Sequence, residues 1–551
     1  MNPIDALRAA VEQAAGAVAG DDGAPGAPAV QRSRPTLERP KQAGHGDYST
    51  NAAMLLAPAA GAPPREIAER LRIELEQRLG ASLAHVEVAG PGFLNLVLTD
   101  AWFTDALCEI LAAGDGYGGG GAALTAERID VEFVSANPTG PLHVGHARNA
   151  AYGDTLARLL GFHGHDVVRE FYVNDFGSQV TNLGRSIVAR ARGEDVPEDG
   201  YQGDYVTDLA AAIEGAADRP VDEVARDGVA LMLDRTRASL AAFGVEMDVW
   251  FSERTLHEGD PTAVQHAFDV LGEQGRTYRH EGALWLRTTE FGDDKDRVLE
   301  RSSGEHTYFA SDIAYHQHKR ERGFTRLLDV WGADHHGYVQ RMKAAYAALG
   351  SDPDELELLI MQFVHLVNRG ERSSMSKRRG EFVTLDDLVE EVGVDAARWF
   401  LLARSHDTTV EFDLDLAREQ TSENPVFYVQ YAHARIASVL RKAGDDAVAA
   451  ALAAPGGGRT LALHDSERAL VKKLLTWPDE VGEAAARRAP HRIASFALEL
   501  AQAFTAFYRD CQVVDAEGEG VEASRLALSV AAQRTIGRAL ELLGVSAPVS
   551  M

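Results

Sequence analysis

Two histidines stand three residues apart in the segment Ser135 to Arg148, which reads Ser-Ala-Asn-Pro-Thr-Gly-Pro-Leu-His-Val-Gly-His-Ala-Arg. Apolar residues alternate over 129–133 and predict a buried strand before the segment, and a helical pattern follows over 147–160. A helix that begins here offers free N–H groups and the positive end of its dipole to an anion. His143 and His146 would share one face of the first turn and could both donate to one triphosphate. We interpret the segment as an ATP-binding turn.

Small residues in the same segment support that interpretation. Gly145 has no Cβ, so a phosphate or a flat adenine ring could approach the backbone closely. Pro138 and Gly140 belong to the same predicted ATP-binding set. Two alternatives are a loop with a buried histidine pair and a metal site shared by the histidines. No Glu or Asp follows at helical spacing to complete a zinc hydrolase site, so the second alternative is the weaker.

A second loop, Ser373 to Gly380, follows the apolar run 358–367, which predicts a single strand. A helix is predicted to open after it at Thr384, with acidic residues in its first turn. The loop reads Ser-Ser-Met-Ser-Lys-Arg-Arg-Gly, and such a small cationic loop can close over a polyphosphate and neutralise it. Alone, a basic loop is more often a solvated turn.

In this order and separation, the two segments resemble the paired ATP-binding signatures of the class I aminoacyl-tRNA synthetases. Those signatures are written HIGH and KMSKS, and this chain has His143-Val-Gly-His146 and Ser374-Met-Ser-Lys-Arg378. The resemblance implies that His143, His146 and Lys377 are catalytic. It also implies that the second loop binds ATP through Met375, Ser376, Lys377 and Arg378.

Further segments are similar to arginyl-tRNA synthetases in particular. They are the segment around the histidines, Glu170 to Gly177, Thr307 to Tyr315, and Trp331 to Gly337. Two N-terminal segments, Gly46 to Asn51 and Val88 to Asn95, resemble the extra N-terminal domain of that family. The resemblance spans nearly the whole chain and implies ligation of L-arginine to tRNA(Arg).

Arginine presents a planar guanidinium with five donors, which a carboxylate meets best in a two-pronged pair. Tyr308 and Asp312 are four residues apart and would project from one face of a helical turn. By resemblance they are the side-chain recognition pair, with Asn137, Ser135 and His336 at neighbouring arginine-binding positions. From the residues alone, Asp312 could equally be a helix N-cap and Tyr308 a half-buried core aromatic.

The resemblance implies two steps. The arginine carboxylate attacks the α-phosphorus of ATP and releases pyrophosphate, and then the terminal ribose hydroxyl of tRNA attacks the arginyl-adenylate and releases AMP. Positioning and electrostatic stabilisation carry most of such a reaction, with Mg²⁺ expected on the polyphosphate. By the same resemblance, Phe93 and Asn95 contact tRNA. One departure concerns Ser374, which stands where the family usually has lysine.

The chain is strongly acidic and contains few lysines. The chain has 83 acidic and 55 basic residues, a net charge of −28, and only 8 of the basic residues are lysines. Acidic excess ordinarily argues against a nucleic-acid partner, because binding a polyanion requires local cations. Surface charges in very concentrated salt are screened within a few Å, and lysine depletion with many carboxylates fits such a cytoplasm. We expect a halophilic source.

At 551 residues the chain must hold several domains. We predict a small α+β N-terminal domain over 1–120, and a Rossmann-like, doubly wound parallel sheet over 121–422 with a helical insertion near 193–241. An all-helical, anticodon-binding domain is predicted over 423–551. A core-facing stripe of apolar residues marks its helices; it consists of Ile493, Phe496, Leu500, Phe504, Phe507 and Cys511.

Two distant cysteines, Cys108 and Cys511, exclude a disulfide framework and a cysteine-based structural zinc site. We find no leader segment and no apolar run of about 18 residues, so we expect a cytoplasmic enzyme with no membrane partner, and a monomer. Two alternatives are a related ATP-dependent amino-acid ligase and a catalytically impaired paralogue that acts as a tRNA-binding adaptor. The amino-acid ligase should lack the N-terminal and C-terminal RNA-binding domains, and the impaired paralogue should have lost His143, His146 or Lys377.

Overall fold

The computed structural model of the chain describes residues 3–21, 35–40, 44–372, 383–455 and 461–551. The second predicted loop lies outside these ranges, and with it Met375, Ser376, Lys377 and Arg378. An α+β part, a parallel-sheet α/β part and a helical part follow one another along the described chain, as predicted.

The N-terminal part is a small antiparallel sheet packed against helices. Its elements are α1 (Pro3–Asp21), β1 (Leu37–Glu38), β2 (Tyr48–Thr50), α2 (Ala52–Ala60), α3 (Pro64–Leu79), β3 (Leu83–Ala89), β4 (Phe93–Leu98) and α4 (Asp100–Ala113). The strand order is β1-β2-β4-β3. Helix α3 buries Ile67, Leu71 and Leu75, because residues three or four apart share one face.

A five-stranded parallel sheet forms the centre of the next part. Its strands and helices are β5 (Arg128–Glu132), α5 (Val144–His163), β6 (Asp166–Val173), β7 (Val249–Ser252), α9 (Ala263–Glu273), α10 (Tyr308–Glu321), β11 (Arg326–Gly332), α11 (Val339–Ala348) and β12 (Leu356–Met361). The strand order is β12-β11-β5-β6-β7, so the winding direction reverses between β5 and β11. Open α/β sheets bind ligands beyond the carboxyl ends of strands at such a reversal. The predicted doubly wound fold is confirmed.

Two insertions interrupt this sheet. Helices α6 (Ser178–Arg192), α7 (Asp204–Ala212) and α8 (Val221–Ala242) enclose a separate small core that includes Leu183, Ile187 and Val224. This helical insertion therefore starts before the predicted residue 193. The other insertion is an antiparallel sheet of β8 (Thr277–His280), β9 (Ala283–Leu286) and β10 (Arg297–Glu300), which the sequence analysis did not predict.

The apolar run 358–367 was predicted to be one strand, but in the structure it belongs to two different strands. Strand β12 ends at Met361 in the parallel sheet, and β13 (Val364–Asn368) belongs to a different small sheet of order β14-β13-β15. The break lies at Gln362, whose N–H donates to His406 O and whose carbonyl accepts from Arg148. The remaining elements of this part are β14 (Glu371–Arg372), α12 (Leu385–Leu402), β15 (Val410–Asp413) and α13 (Leu414–Arg418).

The described C-terminal residues form helices and loops. The helices are α14 (Pro425–Ala443), α15 (Asp445–Ala453), α16 (Asp465–Leu474), α17 (Trp477–Ala486), α18 (His491–Asp510) and α19 (Val521–Leu543). All six residues of the predicted stripe, Ile493 to Cys511, are buried. None of the helices in the described part of the chain is long and apolar enough to cross a bilayer.

Helix α5 is hydrogen-bonded to the C-terminal helices. Tyr152 Oη donates to the carbonyl of Arg488, and Arg158 donates to that of Glu541. The fully buried guanidinium of Arg398, on α12, completes the junction: it donates to Asp154 on α5 at 2.6 Å and to the carbonyl of Leu543 at 2.8 Å. One arginine thus ties α12, α5 and α19 together.

Gly544→Ala should break this junction. Gly544 has φ +66°, and a Cβ there would lie 2.3 Å from the Arg398 guanidinium, so the guanidinium would have to leave Asp154. Breaking a buried ion pair costs about 3–5 kcal/mol, and we expect a matching loss of unfolding free energy in chemical denaturation. Gly244→Ala is the control, because Gly244 has φ +75° but open space around its Cβ position; it should cost only the backbone strain of about 1–2 kcal/mol. Equal losses would contradict the assigned role of Arg398.

Candidate active site

The two histidines stand at the start of helix α5. His143 is the N-cap residue, and its Nδ1 accepts from the Gly145 N–H at 3.0 Å. His146, at the third helical position, accepts the N–H of His143 on its own Nδ1 at 3.2 Å. The imidazole rings stack with centroids 3.7 Å apart. This reciprocal arrangement is a capping box built from two imidazoles.

The capping bonds determine the proton positions on both rings. Because each Nδ1 accepts a backbone N–H, the neutral ring must carry its proton on Nε2. Burial lowers the pKa of His143, and burial together with the neighbouring His143 ring lowers the pKa of His146 to about 3. At neutral pH both rings are therefore uncharged N–H donors at a helix N-terminus, which suits phosphate oxygens.

Gly145 is required by the histidine ring itself. A Cβ at this position would lie 2.8 Å from Cε1 of His143, so any larger residue would displace the ring. The sequence analysis had assigned this space to a nucleotide. Pro138 is buried, and Gly140 is half-buried beside Tyr205 of the helical insertion, whose Oη donates to the carbonyl of Thr139 at 2.7 Å.

The residues that directly follow the second predicted loop lie against the histidine segment. The N–H of Val144 donates to Val383 O at 3.1 Å, and the N–H of Leu385 donates to Leu142 O at 2.8 Å. Thr384 is the N-cap of α12, where the helix was predicted to open. The chain therefore leaves the second loop next to His143.

The predicted arginine pair lies on the first turns of α10, at the carboxyl end of the sheet. Thr307, not Asp312, is the N-cap residue, and Tyr308 is 71% exposed, so neither alternative from the sequence holds. Asp312 is half-buried and accepts a hydrogen bond from Tyr338 Oη at 2.5 Å. Tyr338 was not predicted, although it directly follows the Trp331 to Gly337 segment.

Carboxylates and an imidazole lie near Asp312. Burial raises the pKa of Asp312 to about 6, whereas the hydrogen bond from Tyr338 and the nearby His316 lower it, and the carboxylates of Glu253 and Glu132 raise it. Glu253 is 4% exposed and was not predicted; no spacing in the sequence pointed to it. A cationic ligand beside Asp312 would favour the ionised form of its carboxyl group.

Ser135 and Asn137 follow the end of β5. Ser135 Oγ donates to Glu132 Oε1 at 2.9 Å and accepts the N–H of Tyr172 at 3.1 Å, so it is held in place by two neighbouring strands. Asn137 is exposed at the end of this turn. His336 is also exposed, and no hydrogen bond or ring contact is recorded for it within the described residues.

A network of buried charged side chains links strands β5 and β11 to helix α10. Strand β5 turns Asp130 and Glu132 away from its apolar face, and the fully buried ammonium of Lys319, on α10, lies 2.9 and 2.7 Å from them. Lys319 also contacts Asp329 of β11 at 3.0 Å. Asp130 and Glu132 occupy the positions between the alternating apolar residues of β5, and these charges were not predicted from the sequence.

Arginine binding should weaken as the pH falls through about 6. The raised pKa of Asp312 means that the group loses its charge near pH 6, and a neutral carboxyl attracts a guanidinium far less. We expect saturating arginine to raise the Tm more at pH 8 than at pH 5. Asp312→Asn should remove this difference. An arginine-induced rise in Tm that is equal at both pH values in the unsubstituted protein would contradict the prediction.

The two predicted tRNA contacts differ in exposure. Phe93, at the start of β4, is 39% exposed, whereas Asn95 is 3% exposed. Another exposed aromatic group lies on the C-terminal helices, where the Arg435 guanidinium sits over the rings of Tyr431 and Tyr508 at 4.6 and 5.5 Å.

Three family models match consecutive parts of the chain. The arginyl tRNA synthetase N-terminal domain matches residues 4–98, the catalytic domain of class I (R) tRNA synthetases matches 107–199 and 219–438, and the DALR anticodon binding domain matches 429–551. The three models follow one another in the same order as the three structural parts, although the catalytic model begins within α4 and ends within α14.

Relatives match over nearly the full length. The chain is 48% identical over 531 residues to the arginine–tRNA ligase of Geobacillus thermodenitrificans and 45% identical to that of Bacillus subtilis, with 94% of each chain covered in both comparisons. The fold is similar to Thermus thermophilus arginyl-tRNA synthetase, with a TM-score of 0.76, 26% identity, and 99% and 100% of the two chains covered. The chain belongs to the class I arginyl-tRNA synthetases.

Proposed function

We propose that this chain ligates L-arginine to tRNA(Arg) in the cytoplasm, in two steps through arginyl-adenylate. The observation that carries the proposal is the pairing of two sites at one end of the sheet. One is a pair of neutral imidazole donors at a helix N-terminus, and the other is the half-buried carboxyl group of Asp312, which accepts a hydrogen bond from Tyr338.

In the first step, the arginine carboxylate attacks the α-phosphorus of ATP and pyrophosphate leaves. The Nε2–H groups of His143 and His146 donate to phosphate oxygens as charge develops on them. Lys377 stabilises the departing pyrophosphate, with Arg378 beside it. Pro138, Gly140 and Gly145, together with Met375 and Ser376, complete the ATP-binding set. The approach of Val383 to Val144 supports the proposed role of Lys377, because it brings the end of the second loop to the histidines.

Arginine specificity comes from Asp312, which pairs with the guanidinium, and from Tyr308, whose exposed ring lies one helical turn away. Ser135 and Asn137 bind the amino and carboxylate end of the substrate, and His336 completes the set. Mg²⁺ enters with ATP. Among the described residues no group of three or more His, Cys, Asp or Glu side chains could hold a metal ion.

In the second step, the terminal ribose hydroxyl of tRNA attacks the adenylate carbonyl and AMP leaves. Phe93 and Asn95 contact the tRNA from the N-terminal domain, 1–120, and the buried side chain of Asn95 must become accessible for this. The helical domain, 423–551, receives the anticodon loop, whose unstacked bases suit the aromatic and guanidinium surface of Tyr431 and Arg435. The protein acts as a monomer.

Arginine-dependent pyrophosphate exchange tests this function. In molar KCl, exchange should require arginine and not lysine or glutamine, and it should be measured with and without tRNA. Exchange with another amino acid would overturn the specificity. Binding of tRNA without exchange would instead favour a tRNA-binding adaptor, and amino-acid ligation without tRNA would favour a different ATP-dependent ligase.

We also propose that the protein works in a halophilic cytoplasm. With a net charge of −28, carboxylates repel one another in dilute buffer, and salt screens them. We expect the circular dichroism spectrum and activity to be lost below about 0.1 M salt, where the Debye length reaches about 10 Å, and to return in molar KCl. Full activity and an intact spectrum in dilute buffer would contradict this.

A further inference from the structure

A strained turn connects strand β5 to the predicted substrate-binding residues. Val134 and Ser135 both have left-handed backbone conformations, with φ +70° and +39°. The N–H of Ser135 donates to Phe133 O at 3.0 Å and closes a three-residue turn around Val134. A β-branched residue with this φ is a steric outlier that costs about 1–3 kcal/mol, so the surrounding contacts must hold it there.

Asn149 supplies one of those contacts from helix α5. Its Oδ1 accepts the N–H of Val134 at 2.8 Å, and its Nδ2 donates to the carbonyl of Val330, on β11, at 3.0 Å. The side chain is 7% exposed, so both ends of the amide are satisfied inside the protein. Asn149 thereby joins the strained turn of β5 to the neighbouring strand and to α5.

Asn149 lies on the same helix as the two histidines, so its amide links that helix to the turn after β5. It lies three residues after His146, on the helix that begins with the phosphate-binding pair. Ser135 is part of the turn that it holds, and Asn137 follows two residues later. The Asn149 amide is therefore the contact that ties the Val134–Ser135 turn to the helix of the histidines, beside the bonds that Ser135 makes to Glu132 and Tyr172.

We propose that Asn149 is a positioning residue, which holds the Val134–Ser135 turn so that bound arginine meets the α-phosphate of ATP. This inference rests on the proposed function and adds to it a residue that touches neither substrate. If the amide is lost, the N–H of Val134 has no acceptor on α5, and Val134 can relax toward a negative φ. Ser135 then keeps only its bonds to Glu132 and Tyr172, and we expect the turn and Asn137 to shift.

Asn149→Ala tests the inference in arginine-dependent pyrophosphate exchange. We expect KM for arginine to rise tenfold or more, while KM for ATP changes less than threefold. Asn424→Ala is the matched control. Asn424 is 3% exposed and also bonds the backbone with both ends of its amide, to Ala417 O, Glu419 O and Val426 N, but it lies at the start of α14. It should lower the Tm comparably and leave KM for arginine within twofold.

Val134→Gly in the Asn149→Ala background separates positioning from packing. Glycine adopts φ +70° without strain, so the turn can persist without the amide, and KM for arginine should return at least threefold toward that of the unsubstituted protein. An unchanged KM in Asn149→Ala, an equal rise in Asn424→Ala, or no recovery in the double variant would overturn the inference. Absence of arginine-dependent exchange in the unsubstituted protein would instead overturn the proposed function, and the inference with it.

Discussion

Asp312→Asn is expected to lower kcat/KM for arginine in pyrophosphate exchange by about 10²–10³-fold. Asparagine keeps the shape of the side chain and can still accept the hydrogen bond from Tyr338 Oη. It presents a neutral amide to the guanidinium, and truncating one partner of a buried charge pair costs about 2–5 kcal/mol. The loss should appear in the arginine kinetics and not in KM for ATP.

The stability of this variant provides an internal check. Burial raises the pKa of Asp312, so the ionised carboxylate is unfavourable in the arginine-free protein above about pH 6. At pH 8, Asp312→Asn should therefore keep or raise the Tm while losing activity. Glu321→Gln is the control on the same helix, because Glu321 pairs at the surface with His266 and should change neither quantity. Unaltered arginine kinetics in Asp312→Asn would remove the proposed recognition.

The second large effect is expected at His146. His146→Ala removes a donor to the developing phosphate charge, and the loss of one such donor costs about 10²–10³-fold in kcat. It also removes the acceptor that caps the N–H of His143, with a loss of about 1 kcal/mol of stability.

His146→Gln separates these two contributions. Glutamine at the third helical position can cap the backbone N–H of the N-cap residue in place of the imidazole. The Tm of this variant should match that of the unsubstituted protein, whereas exchange should fall nearly as far as in His146→Ala. Exchange close to normal in either variant would exclude a catalytic role for His146.

The sequence predicted the elements of this protein better than the contacts between them. The alternation around Ile129 and the helical pattern after His146 placed β5 and α5 correctly, because both depend on local burial. The apolar run 358–367 was wrongly predicted as one strand, because its break depends on hydrogen bonds of Gln362. Gln362 accepts one from Arg148 and donates one to His406 O, and both partners are distant in sequence. Hydrogen bonds between residues so far apart in the chain cannot be predicted from a local sequence pattern.

The same distinction holds within the site. His143, His146, Tyr308 and Asp312 came from spacing and resemblance, and the structure places each pair on one helix. The capping exchange between the imidazoles and the carboxylates near Asp312 were not predicted. They depend on backbone geometry and on two residues that are distant from Asp312 in sequence, Glu132 at the end of β5 and Glu253 directly after β7.

The junction at Arg398 has a consequence for attempts to cut the protein into portable modules. A fragment that stops before residue 423 would lose the carbonyl of Leu543, which is one acceptor of the Arg398 guanidinium; Asp154 and the carbonyl of Phe243 would remain. It would also expose the side of α5 that carries Tyr152 and Thr155. The catalytic half is therefore not autonomous. Truncation or domain exchange at that boundary would disturb helix α5, which begins with the two imidazoles. A minimal adenylate-forming fragment would therefore need either the helical domain added as a separate chain or a redesigned surface on α5.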